Sequence, residues 1–125
     1  MVDFSGLVLN KREPVYEQIA AHAKRQILLG LAQNGDIMPS RRELAAMTGV
    51  NPNTAQKAYR LMEDEGFVVT SGNTASTLLI TEALRAQIED ELCNGLVQRF
   101  VQEAKQNHLS YKKLLDLVSE VWDAE

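Results

Sequence analysis

The chain has 125 residues, of which 45% are hydrophobic and 24% are charged, and this is the composition of a folded globular protein rather than a disordered one. The length suits one ordinary domain, or a small domain with a helical extension that needs a partner to cover its apolar side. No apolar run approaches the roughly 20 residues that span a bilayer, and the N-terminus lacks the features of a secretory signal. We therefore expect a cytoplasmic protein with no membrane segment.

The net charge of -4 is unevenly distributed along the chain. Residues 1–80 carry eight basic and eight acidic side chains, so the acidic excess lies in residues 81–125. Within residues 40–60 there are four basic side chains and one acidic one, and such a local patch can bind phosphates although the whole chain is acidic. The basic residues of this patch are Arg41, Arg42, Lys57 and Arg60.

Two helices are predicted in the first 50 residues. Pro14 suits a first helical turn, and the apolar residues after it recur at helical spacing, which predicts helix 1 over about 14–29. Ser40 and Glu43 form an S-x-x-E capping box, in which each side chain can satisfy a backbone N–H of the other residue. This signal predicts a short helix 2 over about 40–47.

A third helix is predicted directly after a glycine. Gly49 ends helix 2, Asn51 can cap a new helix, and Pro52 suits its first turn. An apolar stripe then continues up to Gly66. Two short helices joined in this way match a helix-turn-helix unit, in which the N-terminal residues of the second helix reach base edges in the major groove of DNA.

Small polar side chains at the start of helix 3 suit the reading of DNA, because the protein backbone has to come close to the bases there. Amides can pair with adenine edges, and hydroxyls can pair with phosphates or with either kind of base. The candidates are Asn51, Asn53, Thr54 and Gln56. A basic patch is often only a solvated helix surface, but the clustering at this unit favours DNA contacts, most strongly for Arg42.

A two-stranded hairpin, or wing, is predicted after helix 3. The β-prone runs at residues 67–70 and 77–80 flank Ser71-Gly72-Asn73-Thr74, whose residues tolerate positive φ. An isolated hairpin is only marginally stable, so we expect it to pack on the helices. The Leu-Val-Leu run at residues 7–9 is a candidate for a short extra strand.

The last 45 residues are predicted to form helices that need a partner. Helical periodicity covers residues 81–106, and after a turn at Asn107 and His108 a last helix can begin at Ser110. Two amphipathic helices have too little material for a core of their own, so we expect a second copy to cover their apolar sides. The predicted dimerisation residues are Leu92, Leu96, Phe100, Leu114, Leu117, Val118, Val121 and Trp122.

No cofactor, metal site or catalytic residue is predicted. Cys93 has no second Cys or His at ligand spacing, so we expect a buried thiol. His22 and His108 also lack neighbouring ligands and are expected to be surface or structural residues, and Tyr59 and Met38 are expected in the core. We find no nucleophile with a base, no phosphate-cradling glycine loop and no paired carboxylates, so we do not expect an enzyme.

Five segments carry a resemblance to a known family. They are residues 14–19 (PVYEQI), 29–30 (LG), 35–45 (GDIMPSRRELA), 49–60 (GVNPNTAQKAYR) and 65–68 (EGFV). Together they cover roughly residues 10–80 and closely resemble the DNA-binding domain of the GntR family of bacterial regulators. The short tail of two helices resembles that of the YtrA subfamily within it.

The resemblance implies where DNA would be contacted. Ser40 and Arg42 would contact phosphate or base near the start of helix 2, and Gly72 would lie at the tip of the wing. The family pattern places four further polar residues of this chain on the recognition helix, namely Asn51, Asn53, Thr54 and Lys57.

The chain departs from the family pattern on helix 3 and in the wing. Many members have an arginine where this chain has Pro52 and another where it has Gln56, so readout by helix 3 would rest more on amides than on arginines. The family's wing tip is usually basic and enters the minor groove, whereas residues 71–76 contain no Lys or Arg.

We interpret the chain as a mostly α protein with a small β-hairpin, in which residues 1–80 form a winged helix-turn-helix domain and residues 81–125 form an α-helical dimerisation tail. The expected function is sequence-specific binding of double-stranded operator DNA as a dimeric repressor. A two-fold dimer places two recognition helices about one DNA turn apart, roughly 34 Å, and requires an inverted repeat.

Two further points stay open at the level of sequence. A winged helix can also be a protein-interaction module without specific DNA binding, and the negative charge and the non-basic wing suit that alternative. The tail is too short for a standard effector pocket within one subunit. Any small-molecule effector would therefore have to sit between subunits or between the tail and the DNA-binding domain.

Overall fold

The computed structural model describes residues 1–72 and 75–124. These are mostly helical with one small antiparallel sheet, as predicted. The elements in chain order are α1 (Val15–Leu28), α2 (Arg41–Thr48), α3 (Pro52–Asp64), β1 (Val68–Val69), β2 (Thr77–Leu78), α4 (Glu82–Asp90), a π-helical segment (Glu91–Gly95), α5 (Leu96–Gln106) and α6 (Tyr111–Asp123).

The chain divides into two units, Met1–Ile88 and Glu89–Glu125. The first unit contains the three N-terminal helices, the hairpin and most of α4. The second contains α5 and α6. The functional boundary predicted between residues 80 and 81 stays a prediction.

Helix α1 buries the apolar stripe that predicted it. Ile19, Ala23 and Ile27 follow each other at a spacing of four residues and are almost fully buried. Pro14 lies at the N-cap rather than in the first turn. Gly30 follows the helix with a φ of 75°, the left-handed conformation expected of a residue just beyond a helix end.

The helix-turn-helix unit has the predicted caps. The Ser40 hydroxyl oxygen accepts from the Glu43 N–H at 3.0 Å, and the Glu43 carboxylate accepts from the Ser40 N–H at 2.9 Å, so the capping box is complete. Gly49 ends α2 with a φ of 75°. The Asn51 side-chain oxygen then accepts from the Thr54 N–H at 2.8 Å and begins α3.

The core of the first unit is centred on α3, which packs against both α1 and α2. Tyr59 and Met38 are buried in it, as expected from the sequence. The other large buried side chains around them include Leu44, Met62 and Phe67.

Two of the first four residues belong to this core. Val2 and Phe4 are buried, and the Val2 N–H donates to the Ile37 carbonyl at 2.9 Å. His22 on α1 hydrogen-bonds through Nε2 to the Asp3 carbonyl at 2.9 Å, and its ring centroid lies 5.3 Å from that of Phe4. His22 is therefore a structural residue, as predicted.

The hairpin is present but shorter than predicted. Its strands have two residues each and pair antiparallel, with Val68 opposite Leu78 and Val69 opposite Thr77. Asn73 and Thr74 of the predicted turn lie outside the described residues.

The extra strand predicted at residues 7–9 is wrong, because these residues form neither strand nor helix. The second edge of β2 is occupied instead by the loop before α2. Ile37 pairs with Thr77 in an isolated antiparallel bridge, and the Met38 N–H donates to the Ser76 carbonyl at 2.8 Å. This loop satisfies the backbone groups that β2 would otherwise leave unpaired.

The helix predicted over residues 81–106 contains the π-helical segment in its middle. Apolar residues between Leu84 and Phe100 repeat every four positions, which exceeds the 3.6 residues of an α-helical turn. A strict four-residue repeat would therefore rotate slowly around an α-helix. The wider π-helical turn compensates for part of this rotation. Cys93 lies in this turn and is exposed, so the expectation of a buried thiol is wrong. Among the described residues of the second unit only Ala104 is buried, and nothing in that unit encloses the thiol.

A turn at Asn107 and His108 separates α5 from α6, as predicted. His108 adopts a φ of 59°, and the Ser110 hydroxyl oxygen accepts from the Lys113 N–H at 3.1 Å and so caps α6. Within residues 1–72 and 75–124, no helix is both long and apolar enough to cross a membrane. The same residues contain no group of three or more His, Cys, Asp or Glu side chains able to hold a metal ion.

Candidate nucleic-acid interface

One side of α3 presents polar side chains to solvent. The buried residues Ala55, Ala58, Tyr59 and Met62 occupy one side of the helix. Because successive residues rotate by about 100°, residues at the other positions of the helix point to other sides. Four exposed polar residues are linked by spacings of three or four on the side away from the buried one, and we call this set the polar face of α3: Asn53, Gln56, Lys57 and Arg60.

The polar face brings together four residues that the sequence predicted as DNA contacts. Asn53 and Gln56 present complete amides, since neither makes a hydrogen bond within the part of the chain that the structure describes. Arg60 is also exposed. Lys57 lies with its Nζ 5.5 Å from the centroid of the Tyr16 ring, a distance typical of a cation–π contact.

Asn51 and Thr54, also predicted as DNA contacts, lie beside the polar face. The side-chain oxygen of Asn51 is occupied by the Thr54 N–H, so only its NH₂ group is left to donate. Thr54 is half-buried. The sequence therefore identified Asn51 correctly as a cap, and that role restricts how it can read a base.

The start of α2 offers two groups to a phosphate. The Ser40 oxygen accepts the capping hydrogen bond, but its hydroxyl hydrogen is still available as a donor. Arg42 is exposed and has no hydrogen bond or ion pair to another described residue. Both lie in the first turn of a helix or directly before it, where the helix dipole favours anions.

Glu43 places a negative charge in the same turn. The hydrogen bond from the Ser40 backbone N–H to the Glu43 carboxylate holds the pKa of that carboxyl below its ordinary value. Glu43 is therefore ionised at neutral pH. At the start of α2 the Arg42 side chain is the exposed positive charge, whereas the Glu43 carboxylate is engaged in the capping box.

Arg41 has intramolecular partners that the sequence did not predict. Its guanidinium carbon lies 4.5 Å from the centroid of the Tyr59 ring, and its Nη2 donates to the Glu63 carboxylate at 3.2 Å. Tyr59 donates its own hydroxyl to the Pro39 carbonyl, and burial raises the pKa of Tyr59 above its ordinary range. The predicted contact between Arg41 and DNA would compete with these interactions.

The sequence of the wing tip, residues 71–76, contains no Lys or Arg. Gly72 is exposed with a φ of 56°, which suits a tight turn. The hydroxyls of Thr70 and Ser76 hydrogen-bond to each other across the base of the hairpin. Any contact between this wing and DNA would have to use backbone groups or uncharged polar side chains.

The second unit leaves large apolar side chains uncovered. Trp122 is 79% exposed and Val121 is 65% exposed on α6, and Leu96 and Phe100 are exposed on α5. The other predicted dimerisation residues are half-buried: Leu92, Leu114, Leu117 and Val118. Two more exposed apolar residues of these helices lie outside the predicted set, Val97 and Leu115.

Comparisons with known proteins agree on one family. The family described as bacterial regulatory proteins, gntR family, matches residues 15–78. The HTH-type transcriptional repressor YtrA of Bacillus subtilis (strain 168) is 33% identical over 116 residues, which cover 86% of this chain and 84% of that protein.

Solved structures of the same family have a similar fold. A GntR family transcriptional regulator from Listeria monocytogenes matches with a TM-score of 0.77 at 28% identity, over 90% of this chain and 98% of that one. YtrA from Sulfolobus acidocaldarius, a GntR-family transcription factor, matches with a TM-score of 0.55 at 27% identity, over 94% and 96% of the two chains.

Proposed function

This chain belongs to the GntR family of DNA-binding transcriptional regulators, among its YtrA-like members, and from that premise we propose that it is a homodimeric repressor of an inverted-repeat operator. The observation that carries the proposal is the polar face of α3. This face is exposed, and no other described part of the chain covers it, so it can enter a major groove.

Affinity would come mainly from phosphate contacts at the start of α2. We assign these to the Arg42 guanidinium and the Ser40 hydroxyl, supported by the N-terminal dipole of that helix. Such contacts release counterions, so binding should weaken steeply as salt concentration rises.

Specificity would come from the polar face. The amides of Asn53 and Gln56 can each make a bidentate pair with adenine, and Arg60 can pair with guanine or with phosphate. Lys57 is a point charge suited to phosphate. Asn51 and Thr54 would add single donor contacts at the edge of the face, and Gly72 would approach the backbone of the DNA through its own backbone.

The homodimer is proposed from the uncovered apolar side chains of the second unit. Exposed large side chains at this density usually mark an interface, and a second copy offers a matching apolar surface. We propose that Phe100 and Trp122 are central to it, because buried aromatic residues dominate the energy of interfaces. A two-fold dimer then requires an operator with two half-sites about one turn of DNA apart.

The family supports three further parts of the proposal, which concern repression, location and catalysis. The relative from Bacillus subtilis is named a repressor, and the relatives are transcriptional regulators. We therefore propose that this protein acts in the cytoplasm, where bacterial DNA lies, and that it catalyses no reaction. No cofactor is part of the proposal.

The experiment that tests this function is selection of bound fragments from genomic DNA by the purified protein. Arg42→Ala is compared at the same salt concentration, and Lys11→Ala, which removes an exposed positive charge before α1, is the matched control. The native protein and Lys11→Ala should enrich one inverted repeat. Arg42→Ala should lose this enrichment, and the slope of its log affinity against log salt should be smaller by about 2, because the proposed homodimer loses one phosphate contact in each subunit.

A protein-interaction module would behave differently in the same experiment. If the native protein is folded and dimeric but enriches no sequence at moderate salt, the operator proposal fails. The acidic second unit would then be the first place to search for a protein partner.

A further inference from the structure

The partners of Arg41 lead to an inference about how the recognition helix is held. We propose that Arg41 is a positioning residue, which sets the angle between α2 and α3 and contacts no DNA phosphate. This inference rests on the proposed function, because it concerns how the polar face is aimed at DNA. It replaces the DNA contact that the sequence predicted for Arg41.

The geometry is that of a planar group held on two sides. The guanidinium lies over the Tyr59 ring at 4.5 Å and donates from one edge to Glu63 at 3.2 Å. Tyr59 and Glu63 are four residues apart, so they are neighbours on one side of α3. Arg41 therefore spans one full turn of the recognition helix, and the flat guanidinium suits both stacking and pairing.

The same turn of α3 is held a second time through the Tyr59 hydroxyl. Tyr59 is fully buried and donates to the carbonyl of Pro39, two residues before Arg41. Between these two residues lies Ser40, the cap of α2 and a proposed phosphate contact. The segment that would bind phosphate is thus fastened directly to the middle of the helix that would read bases.

Arg41 and its neighbour Arg42 differ in a way that separates their roles. Arg42 is exposed and has no partner among the described residues, whereas Arg41 is only partly exposed and its Nε is buried without a hydrogen bond. Consecutive residues on a helix point about 100° apart, so the two side chains leave α2 in different directions. To reach a phosphate, Arg41 would have to leave both the Tyr59 ring and the Glu63 carboxylate.

The test measures binding to the selected operator duplex and to a scrambled duplex by fluorescence anisotropy over a series of salt concentrations. For Arg41→Ala we expect operator affinity to fall at least about fivefold, as when one base contact is misplaced. Affinity for the scrambled duplex should change less than about twofold, and the salt slope should equal that of the native protein. Arg42→Ala is the matched variant. It should weaken binding to both duplexes and reduce the salt slope by about 2, one phosphate contact for each subunit of the proposed dimer.

Two further variants are expected to behave differently under the two possible roles of Arg41, as a phosphate contact or as a positioning residue. Glu63→Gln removes a negative charge from α3 and replaces the ion pair with Arg41 by a weaker neutral hydrogen bond, so a phosphate contact predicts tighter binding to both duplexes. Our inference predicts weaker discrimination for the operator. Arg41→Lys keeps the charge but not the planar group, so a phosphate contact predicts nearly native binding, whereas positioning predicts the same loss as Arg41→Ala.

The outcomes separate this inference from the proposed function. If the native protein does not discriminate between the two duplexes, the operator function itself fails. If the native protein discriminates and Arg41→Ala behaves like Arg42→Ala, only the positioning role is overturned. Circular dichroism at the assay temperature establishes that each variant is folded, and if Arg41→Ala is not, Arg41→Lys and Glu63→Gln decide the question.

Discussion

Lys24 on α1 and Glu65 at the end of α3 form an ion pair with 2.6 Å between Nζ and the carboxylate oxygen. The Lys24 side chain is 9% exposed, whereas that of Glu65 is 33% exposed, so the two partners are desolvated to different degrees. The Lys24 Nζ also lies 5.9 Å from the Phe67 ring centroid. A buried ammonium without its carboxylate is costly, so the pair holds α1 to the turn that leads into the hairpin.

Lys24→Ala is expected to lower the free energy of unfolding by about 1–3 kcal/mol, because it removes both the buried stem and the ion pair. Lys24→Met keeps the stem and leaves the partly exposed Glu65 hydrated, so it should cost less than about 1 kcal/mol. Urea unfolding measures both. Arg25→Ala changes an exposed neighbour and should stay within about 0.5 kcal/mol of the native protein. Equal losses for the Ala and Met variants would assign the stability to the ion pair rather than to the stem.

Asn51 is expected to respond to substitution as a cap first. Asn51→Ala should lower the free energy of unfolding by about 1 kcal/mol, because the Thr54 N–H loses its acceptor. Asn51→Asp keeps an accepting oxygen, so its stability should stay within about 0.5 kcal/mol of native. The new negative charge should nevertheless weaken operator binding. Unfolding and DNA binding are measured on the same samples, and a loss of stability in Asn51→Asp equal to that in Asn51→Ala would contradict the capping role.

The capping box of α2 is expected to make stability depend on pH. The pKa of Glu43 is lower in the folded protein than its ordinary value of 4.5, because the carboxylate accepts a hydrogen bond from the Ser40 backbone N–H. This contribution is present above pH 4.5 and is lost as the pH falls through the lowered pKa. When the pH is lowered below 4.5, the free energy of unfolding of the native protein should therefore fall more than that of Glu43→Gln.

Unfolding curves at successive pH values below neutrality test this expectation. Glutamine can still accept from the Ser40 N–H, so Glu43→Gln should remain folded at neutral pH and serve as the reference. Asp3 also has a lowered pKa, because its carboxylate accepts a hydrogen bond from Ser5. Asp3 is present in both the native protein and Glu43→Gln, so its effect on stability cancels. The difference between the two unfolding series therefore reports on Glu43 alone. Parallel curves would show that the box contributes no pH dependence.

The proposed dimer is expected to depend on Phe100. Phe100→Asp places a charge among the exposed apolar side chains of α5, and it should weaken dimerisation by at least about 2 kcal/mol, or roughly 30-fold. Sedimentation equilibrium measures the dissociation constant. Tyr111→Asp is the control, since Tyr111 is exposed at the start of α6 but lies outside the predicted interface. If both variants dissociate to the same extent, or neither does, Phe100 is not central to the interface.

The parts of the fold that could be predicted are those set by neighbouring residues. Ser40 and Glu43 form their box within one turn, and Asn51 caps the residue three positions later, so local spacing was sufficient. The polar face of α3 followed from the same helical periodicity. These short-range relations also carry most of the proposed DNA contacts.

The relations that could not be predicted join residues far apart in the chain. Ile37 pairs with Thr77 across 40 positions, and no periodicity near residue 37 indicates a strand. Arg41 likewise looks like any basic residue at the start of a helix until Tyr59 and Glu63 are placed beside it. Its environment is a property of how α2 crosses α3, and local sequence does not specify that crossing.

The burial of the first residues has a practical consequence for anyone who expresses this protein. Val2 and Phe4 are held in the core, and Met1 lies in a shallow cleft together with Pro39, Ser40 and Glu43. Any affinity tag or reporter joined to the amino terminus would emerge beside the start of α2. The tag would lie where a DNA strand is expected to pass and would block DNA binding. A tagged protein that fails to bind its operator could then be mistaken for a protein that has no operator.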